Sequence, residues 1–306
     1  NTSLLHAVDD VTFTLTKGET LGVVGESGCG KTTLGRTLLR LQDPTAGKII
    51  FDGKDIAKYS KKEMKNLRKD MQIIFQDPYS SLNPRMTIKE AIAEPLIVQE
   101  VVSSWNKSEI EKIVYDIMDR VGLSKRLINS YPHELDGGRR QRIGVARAIV
   151  LRPKFIVCDE PVSALDVSIQ AQVLNLMQDL QRDMGLTYMF ITHDLSVVKH
   201  LSTDIAVMYL GQLVEKAPAK ELFHSPLHPY TNALLSAIPV PNPEAKTKRI
   251  LLKGELSSPI DPLPGCRFAK RCPYATEECC KSDIPLNEIR PNHFVACHKV
   301  AKETSN

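Results

Sequence analysis

The most informative segment of the chain reads Gly25-Glu26-Ser27-Gly28-Cys29-Gly30-Lys31-Thr32. It follows the apolar residues 20–24 and precedes a helix-compatible stretch at residues 33–41, so the sequence predicts a strand, a turn and a helix. The glycines let backbone N–H groups turn toward phosphate oxygens, while Lys31 supplies a positive charge and the Thr32 hydroxyl can ligate Mg²⁺. This P-loop pattern predicts a bound nucleoside triphosphate; the alternative is a glycine-rich turn that only happens to contain Gly-Lys-Thr. The residues expected to bind the nucleotide are Gly25, Ser27, Gly28, Cys29, Gly30, Lys31, Thr32 and Thr33.

Two adjacent carboxylates, Asp159 and Glu160, follow a second apolar run at residues 155–158. Buried parallel strands commonly carry site residues at their C-terminal ends. At such a position Asp159 can hold Mg²⁺ through water, and Glu160 can polarise an attacking water. An Asp-Glu pair after a strand is often only a solvated loop, but next to a P-loop it predicts phosphoryl transfer to water.

The composition is typical of a folded globular protein. The 306 residues allow about two domains of roughly 150 residues each. Hydrophobic residues make up 42% and charged residues 25%, which excludes wholesale disorder and fibrous architectures. No run approaches about 18 consecutive apolar residues and residues 1–5 lack a basic-then-apolar pattern, so we expect neither a membrane span nor a secretory leader. The net charge of +4 is not gathered into one basic run, which argues against nucleic acid as a partner.

Strand-like and helix-like patterns alternate up to about residue 225, and this alternation predicts an α/β fold. Between the two apolar runs, Ser108-x-x-Glu111 is typical of a capping box and apolar residues follow it at helical spacing, so we expect an inserted helical segment. Beyond residue 225 the composition changes, because 11 of the 19 prolines and five of the seven cysteines lie there. We therefore predict a small Cys- and Pro-rich C-terminal extension at residues 226–306.

Six motifs follow one another along the chain. They are the P-loop, Gln76 after the apolar residues 73–75, a Gly-Gly-Arg-Arg-Gln-Arg helix start, the Asp159-Glu160 pair, Ser163-Ala164-Leu165-Asp166, and Ile191-Thr192-His193-Asp194. Over residues 1 to about 225 this order resembles an ABC-transporter ATPase subunit. The resemblance implies a P-loop NTPase fold, with a RecA-like core and an inserted helical subdomain at about residues 88–153. It also implies ATP and Mg²⁺ as ligands, and two domains facing head to tail, with each ATP between one P-loop and the other chain's signature helix.

The resemblance also implies roles for single residues. Gln76 resembles the Q-loop residue that touches Mg²⁺ and reports to membrane subunits, so Thr32 and Gln76 are the implied magnesium ligands. Glu160 and Lys31 are implied catalytic residues, together with His193, which resembles the switch histidine near the γ-phosphate. Asp166 resembles the D-loop residue that crosses the dimer interface. Residues 1–8 contain no Phe, Tyr or Trp that could stack on adenine, so no adenine contact is assigned.

The signature motif departs from the family pattern. The family reads Leu-Ser-Gly-Gly-Gln, whereas this chain has Leu135-Asp136-Gly137-Gly138-Arg139. A carboxylate at Asp136 would repel the γ-phosphate at short range, and Arg139 can offset part of that repulsion by pairing with Asp136 or with phosphate. We therefore expect one weakened and one competent ATP site, and hence a heterodimer. The alternative is that Asp136 rotates away and is tolerated.

Two stretches of the C-terminal extension narrow the resemblance. They are His224-Ser225-Pro226-Leu227-His228-Pro229-Tyr230-Thr231 and Pro264-Gly265-Cys266-Arg267-Phe268. Both resemble the extension of ATPase subunits from dipeptide, oligopeptide and nickel importers. The expected function is therefore ATP hydrolysis that powers peptide import; a nickel importer ATPase and a regulatory subunit with little turnover of its own are the alternatives.

Four cysteines in the extension predict a metal site. Cys266, Cys272, Cys279 and Cys297 are separated by five, six and seventeen residues. In a reducing compartment such clustering indicates metal ligation rather than disulfides. Four thiolates suit a 4Fe–4S cluster or tetrahedral zinc, and the resemblance implies the iron–sulfur cluster; zinc and ordinary free thiols remain alternatives. Cys280 can replace its neighbour Cys279 as a ligand. Cys29 and Cys158 are expected to be small buried fillers.

The expected partners follow from the resemblance. They are a second ATPase subunit, two transmembrane permease subunits and, indirectly, an extracytoplasmic substrate-binding protein. The expected location is the cytoplasmic face of the cell membrane, as a peripheral subunit. ABC-type ATPases that act on DNA or ribosomes would carry a long coiled-coil insertion or two ATPase units, and the sequence has neither pattern, so we expect no nucleic acid.

Overall fold

A computed structural model describes residues 3–103, 106–238, 249–252, 254 and 258–304. Its strands are β1 (Thr20–Val24), β2 (Ile50–Phe51), β3 (Lys54–Asp55), β4 (Met71–Ile74), β5 (Phe155–Asp159), β6 (Thr187–Ile191), β7 (Asp204–Tyr209), β8 (Gln212–Pro218), β9 (Asn287–Arg290) and β10 (His293–Val295). Its α-helices are α1 (Lys31–Leu38), α2 (Lys61–Leu67), α3 (Pro78–Ser81), α4 (Ile88–Val98), α5 (Lys107–Arg120), α6 (Gly137–Ile149), α7 (Val167–Met184), α8 (Leu195–Leu201), α9 (Ala219–His224), α10 (Pro229–Ser236) and α11 (His298–Thr304). Strands and helices alternate through most of the chain, which confirms the predicted α/β class.

The first of two compact units comprises residues 1–15, 20–34 and 190–306. In it, β7 pairs in parallel with β1 and antiparallel with β8, and β10 lies between β8 and β9. Every residue of β1 is buried, as expected for a parallel strand covered on both faces. The glycine-rich segment begins where β1 stops, at Val24. The Thr192 N–H donates to the Val23 carbonyl oxygen at 3.1 Å, so the residue after β6 lies beside β1.

The second unit comprises residues 16–19 and 35–189. In it, β4 and β5 pair in parallel, from Met71 opposite Phe155 to Ile74 opposite Cys158. All five residues of β5 are buried, so its apolar side chains form part of the hydrophobic core. The strand ends at Asp159, the first of the two carboxylates predicted from the sequence. Between these two strands the chain forms α3, α4, α5 and α6, as the helical spacing predicted.

The helices of this inserted segment begin at well-defined caps. Thr87 and Glu90 form a capping box at the start of α4. The predicted cap of α5 is wrong: Asn106, not Ser108, occupies the N-cap position and accepts from the Glu109 N–H. Asn caps helices as well as Ser does, so α5 starts two residues earlier than the Ser-x-x-Glu pattern indicated. None of the helices in the described ranges is both long and apolar enough to cross a bilayer.

Candidate functional site

The P-loop residues predicted from the sequence form the turn after β1 and the first turn of α1. Gly30 has φ +102°, and a Cβ built on it would lie 2.1 Å from the Ala7 carbonyl oxygen. A Cβ on Gly25 would lie 2.3 Å from the Met208 carbonyl oxygen. Backbone atoms cannot yield as side-chain tips do, so both positions require glycine and the loop is held tightly against its neighbours.

The Lys31 side chain lies inside the P-loop. Its side chain is 5% exposed, and its ammonium donates to the carbonyl oxygens of Gly25 at 2.8 Å and Glu26 at 3.0 Å. Carbonyl oxygens are neutral acceptors, and charged phosphate oxygens would bind the Lys31 ammonium more strongly. Cys29 and Cys158 are both buried, as predicted, and burial raises the pKa of each thiol, so both remain neutral fillers.

In the second unit the structure brings Gln76 and Glu160 together. The Gln76 side-chain amide donates to the Glu160 carboxylate at 3.1 Å. Asp159, the last residue of β5, is 3% exposed, and Glu160 has a left-handed backbone with φ +46°. A non-glycine residue adopts this backbone at some energetic cost, and such strain is concentrated at functional positions. The strained turn and the glutamine fix the direction of a carboxylate that sits at the end of a buried strand.

His193 lies in the first unit, in the turn between β6 and α8. Its imidazole is exposed, and the neighbouring Asp194 caps α8 by accepting from the Ser196 N–H at 2.7 Å. Because Thr192 bonds to Val23, this turn and the P-loop both leave the ends of adjacent strand segments. His193 thus lies in the turn that follows β6, next to the strand that leads into the P-loop, and its role as the switch histidine stays a prediction.

The segment predicted to be an altered signature, residues 135–139, spans the start of α6. Asp136 is the N-cap, and its Oδ1 accepts from the Arg139 N–H at 2.8 Å. The Arg139 Nε lies 3.5 Å from the Asp136 Oδ2, with both side chains more than half exposed, so one of the two predicted pairings of Arg139 is present. A Cβ on Gly138 would lie 2.6 Å from the Ile169 side chain, so the glycine allows close packing against α7.

Asp166 is the N-cap of α7. Its carboxylate accepts from the Ile169 N–H at 3.0 Å and from the Ser168 hydroxyl at 2.9 Å. These bonds, led by that of the Ile169 N–H, lower the pKa of Asp166 below its usual value. The carboxylate is therefore ionised at neutral pH and remains in an exposed turn.

The four predicted metal ligands are half-buried free thiols. Burial raises the pKa of the Cys266 thiol to about 11, with further contributions in the same direction from the other three thiols. The Cys266 N–H donates to the Cys279 carbonyl oxygen at 2.7 Å, which joins two of the predicted ligand segments. Nevertheless, among the described residues no group of three or more His, Cys, Asp or Glu side chains is placed to hold a metal ion. The thiol chemistry suits a metal, whereas the arrangement in this structure is not that of a ligand set.

One interaction near the P-loop escaped the sequence analysis. The two terminal guanidinium nitrogens of Arg271, Nη1 and Nη2, donate to the Glu26 carboxylate at 2.7 and 3.1 Å. The Tyr230 hydroxyl accepts from the Glu26 N–H at 2.9 Å. The sequence feature that could have predicted this ion pair is the acidic residue inside a phosphate-binding loop, because a poorly solvated carboxylate needs a cation nearby.

A groove of about 300 Å³ lies in the second unit. Its lining includes Phe75, the residue before Gln76, together with residues of α4 and α6. Arg147 of α6 stands beside it, donating to the Glu94 carboxylate at 2.5 Å and to the Ser81 carbonyl oxygen at 2.9 Å. One wall of the groove is thus formed by α4 and α6, which the Arg147–Glu94 ion pair joins, next to the glutamine that contacts Glu160.

Comparison with known families gives two matches. A family described as "ABC transporter" matches residues 8–163. A second, described as "Oligopeptide/dipeptide transporter, C-terminal region", matches residues 214–279.

Two relatives with similar sequences and one solved structure are consistent with these family matches. The oligopeptide transport ATP-binding protein AppF of Bacillus subtilis is 53% identical and covers 96% of this chain and 89% of its own length. The oligopeptide transport ATP-binding protein OppF of Salmonella typhimurium is 55% identical and covers 97% and 88%. Among solved structures, the ATP-binding cassette MJ0796 in a dimeric post-hydrolysis state bound to ADP and phosphate has a TM-score of 0.64 at 27% identity. That match covers 70% of this chain and 90% of the cassette.

Proposed function

This chain belongs to the ABC transporter family and is an ATPase of that family, and we propose that it is the subunit whose ATP hydrolysis powers peptide import. The peptide cargo is supported by the C-terminal match at residues 214–279 and by the names of the relatives. One structural observation carries the proposal of turnover. The Glu160 carboxylate, in a strained turn at the end of β5, is held by the Gln76 amide.

The proposed reaction assigns a task to each residue of the site. Lys31 exchanges the Gly25 and Glu26 carbonyl oxygens for phosphate oxygens, which are stronger acceptors. Glu160 orients and polarises the attacking water, and His193 contacts the γ-phosphate. Thr32, Gln76 and Asp159 would hold Mg²⁺, which neutralises phosphate charge when bound. Phosphoryl transfer depends mainly on positioning and charge, which are the contributions proposed for these residues.

The groove beside Gln76 is the proposed contact with the transmembrane permease subunits. Its lining residue Phe75 is 38% exposed and directly precedes Gln76, so a segment bound there would press on the loop that holds Glu160. Binding in the groove and ATP turnover would thereby be linked. We place the chain on the cytoplasmic face of the membrane as a peripheral subunit, with an extracytoplasmic substrate-binding protein delivering peptide to the permease.

The second ATPase subunit is proposed to be a different chain. Asp136 would meet the γ-phosphate of the partner's ATP, whereas this chain's own Lys31, Asp159, Glu160 and His193 retain the family residues. One site of the pair would then be weak and the other competent, and a homodimer would carry the defect twice. This asymmetry is supported by the exposure of Asp136, whose side chain is 60% accessible at the start of α6.

We also propose a division of labour along the chain. Residues 1–225 serve as the nucleotide-binding domain, with the helical segment at about residues 88–153 facing the permease. Residues 226–306 form the extension. The separate family matches at residues 8–163 and 214–279 support two functional parts, and the second match begins before residue 226.

A 4Fe–4S cluster on Cys266, Cys272, Cys279 and Cys297 remains a proposal, supported by four half-buried thiols that influence one another electrostatically. Its test is the iron and sulfide content of the assembled transporter purified without oxygen. Cys272→Ser should abolish the cluster, whereas the matched change Cys280→Ser should retain it. Zinc in place of iron would change the cofactor, and four reactive thiols with neither metal would refute the site.

The test of the cargo is uptake into proteoliposomes. The chain is reconstituted with its permease subunits, the second ATPase subunit and the substrate-binding protein, and labelled oligopeptide or Ni²⁺ is offered on the binding-protein side. We expect ATP-dependent accumulation of peptide, which Lys31→Ala in this chain abolishes. Accumulation of Ni²⁺ instead would make the chain a nickel importer ATPase. Peptide accumulation that survives Lys31→Ala would contradict the proposed role of this chain.

A further inference from the structure

Glu26 places a carboxylate in the loop that binds phosphate. Its main chain belongs to the P-loop, since the Glu26 carbonyl oxygen accepts from the Lys31 ammonium at 3.0 Å. Its side chain is only 25% exposed, so solvent screens the negative charge poorly. An unbalanced carboxylate at this position would repel the phosphates of ATP.

The balancing cation comes from the C-terminal extension. The Arg271 guanidinium meets both oxygens of the Glu26 carboxylate, at 2.7 and 3.1 Å, in the forked geometry that gives the strongest ion pairs. The Arg271 side chain is 9% exposed, and it also donates to the Tyr209 hydroxyl at 3.4 Å. Removing one member of so buried an ion pair is strongly unfavourable, because the other member is left as an uncompensated charge.

A second contact fixes the same residue from the extension. The Tyr230 hydroxyl accepts from the Glu26 N–H at 2.9 Å, and the Tyr230 ring is fully buried against Tyr209 and Phe268. Both the main chain and the side chain of Glu26 are therefore held by residues that follow residue 225. The first turn of the P-loop is anchored to the extension rather than to the nucleotide-binding core alone.

We infer that Arg271 is a positioning residue of the ATP site, which neutralises Glu26 and holds the P-loop in the shape that receives phosphate. This role rests on the ATPase function proposed above and adds the C-terminal extension to the nucleotide site. Loss of Arg271 would leave the Glu26 carboxylate unpaired beside the phosphates, weakening ATP binding more than the chemical step.

The matched control is another arginine that ties the extension to the body of the first unit. Arg290 of β9 donates to the Glu221 carboxylate at 2.9 Å and to the Ser225 hydroxyl at 2.8 Å, and neither partner belongs to the P-loop. Arg290→Gln therefore loosens the extension without unbalancing Glu26. The difference between the two variants isolates the charge at the loop from general anchoring.

The experiment measures ATP turnover of the full transporter, reconstituted with its permease and second ATPase subunit, at varied ATP. Arg271→Gln should raise KM for ATP about tenfold with kcat within about twofold. The double variant Glu26→Gln, Arg271→Gln should return KM to within about threefold of the unaltered chain, since no buried carboxylate remains unpaired. Arg290→Gln should leave KM unchanged.

Equal impairment of the single and double variants would overturn the inference, because it would mean that Arg271 acts only as an anchor; an unchanged KM in Arg271→Gln would also overturn it. If Arg271→Gln does not assemble, Glu26→Gln alone decides: the unpaired guanidinium should lower KM for ATP, and a raised KM contradicts the proposal. Absence of turnover in the unaltered transporter would instead refute the proposed function, so the two failures are distinguishable.

Discussion

Asp136 caps α6 through a bond from its Oδ1 to the Arg139 N–H, and this geometry explains how a carboxylate is accommodated in the signature. Aspartate and serine are equally good N-caps, so α6 can begin as well with Asp136 as with the serine of the family pattern. What changes is the charge at the exposed end of the helix. The nearby Arg139 guanidinium, at 3.5 Å, offsets part of that charge but is itself more than half exposed and screened by water.

The double reversion Asp136→Ser, Arg139→Gln tests the consequence of that charge. We expect ATP turnover of the assembled transporter to rise by at least about twofold, because the weakened second site would recover. The matched control is Asp116→Ser, Arg120→Gln, which removes an exposed Asp–Arg pair from α5 at a similar separation of 2.9 Å. Unchanged turnover in the reversion, equal to that of the control, would show that the substituted signature is tolerated and that the asymmetry proposal is wrong.

Single residues of the P-loop could be predicted well, because their chemistry is local. The order of glycines, Lys31 and Thr32 fixes a backbone shape and a charge without reference to distant residues. The Glu26–Arg271 pair could not be predicted in the same way, since 245 positions separate its members and no spacing rule joins them. Only the presence of an acidic residue inside a phosphate loop indicated that a partner must exist.

At the scale of elements, β8, β10 and α10 meet at a buried polar group. Both oxygens of the Glu215 carboxylate of β8 are bonded, one to the Leu227 N–H and the His293 ring at 2.7 Å, and the other to the His228 N–H at 3.0 Å. Glu215 and His293 are fully buried. A carboxylate with so many partners specifies how the last strands of the extension attach to β8.

His228 gives this junction a pH dependence. Burial lowers the pKa of His228 to about 4, although Glu215 acts in the opposite direction. The unfolded chain, with an ordinary histidine pKa near 6.5, binds the proton more tightly than the folded chain does. The stabilisation from keeping His228 neutral is therefore complete above about pH 6.5. It is lost as the pH falls from about 6.5 to about 4, and the loss by pH 4 amounts to about 3 kcal/mol.

Unfolding by denaturant at pH 7 and pH 4.5 measures this effect. His228 accepts from the Tyr230 N–H as the N-cap of α10, and asparagine can keep that cap without titrating. We expect the unaltered chain to lose clearly more stability than His228→Asn between the two pH values. Parallel losses in the two proteins would mean that His228 does not contribute to the acid sensitivity.

Helices and strands could be predicted where the apolar pattern was strong, and less well where two side chains compete for one N-cap position. The buried runs that became β1 and β5 were evident from their apolar sequence. The predicted start of α5 was wrong because Asn106 and Ser108 are both good N-cap residues, and in the structure Asn106 takes that position. Cysteine spacing predicted four neighbouring thiols but could not determine whether their side chains converge on a metal.

At the scale of the whole molecule, the chain is an ABC-family ATPase, and we propose that it supplies the competent catalytic face of its transporter. By the resemblance, the P-loop, the Gln76–Glu160 pair and the His193 turn are predicted to keep the family residues, whereas the segment at Asp136 and Arg139 is predicted to be an altered signature. The C-terminal extension contributes Arg271 and Tyr230 to the first turn of the P-loop. We therefore propose that catalysis belongs to this face, while the segment at Asp136 meets the ATP of the partner subunit.

The most direct test is ATP turnover of the reconstituted transporter in which this chain carries Glu160→Gln. The amide cannot polarise water as the carboxylate does, so we expect turnover to fall about 100-fold or more while ATP binding is retained. The corresponding Glu→Gln change in the second ATPase subunit serves as the control and should have a much smaller effect. Turnover that survives Glu160→Gln in this chain would move the chemistry to the partner and contradict the account.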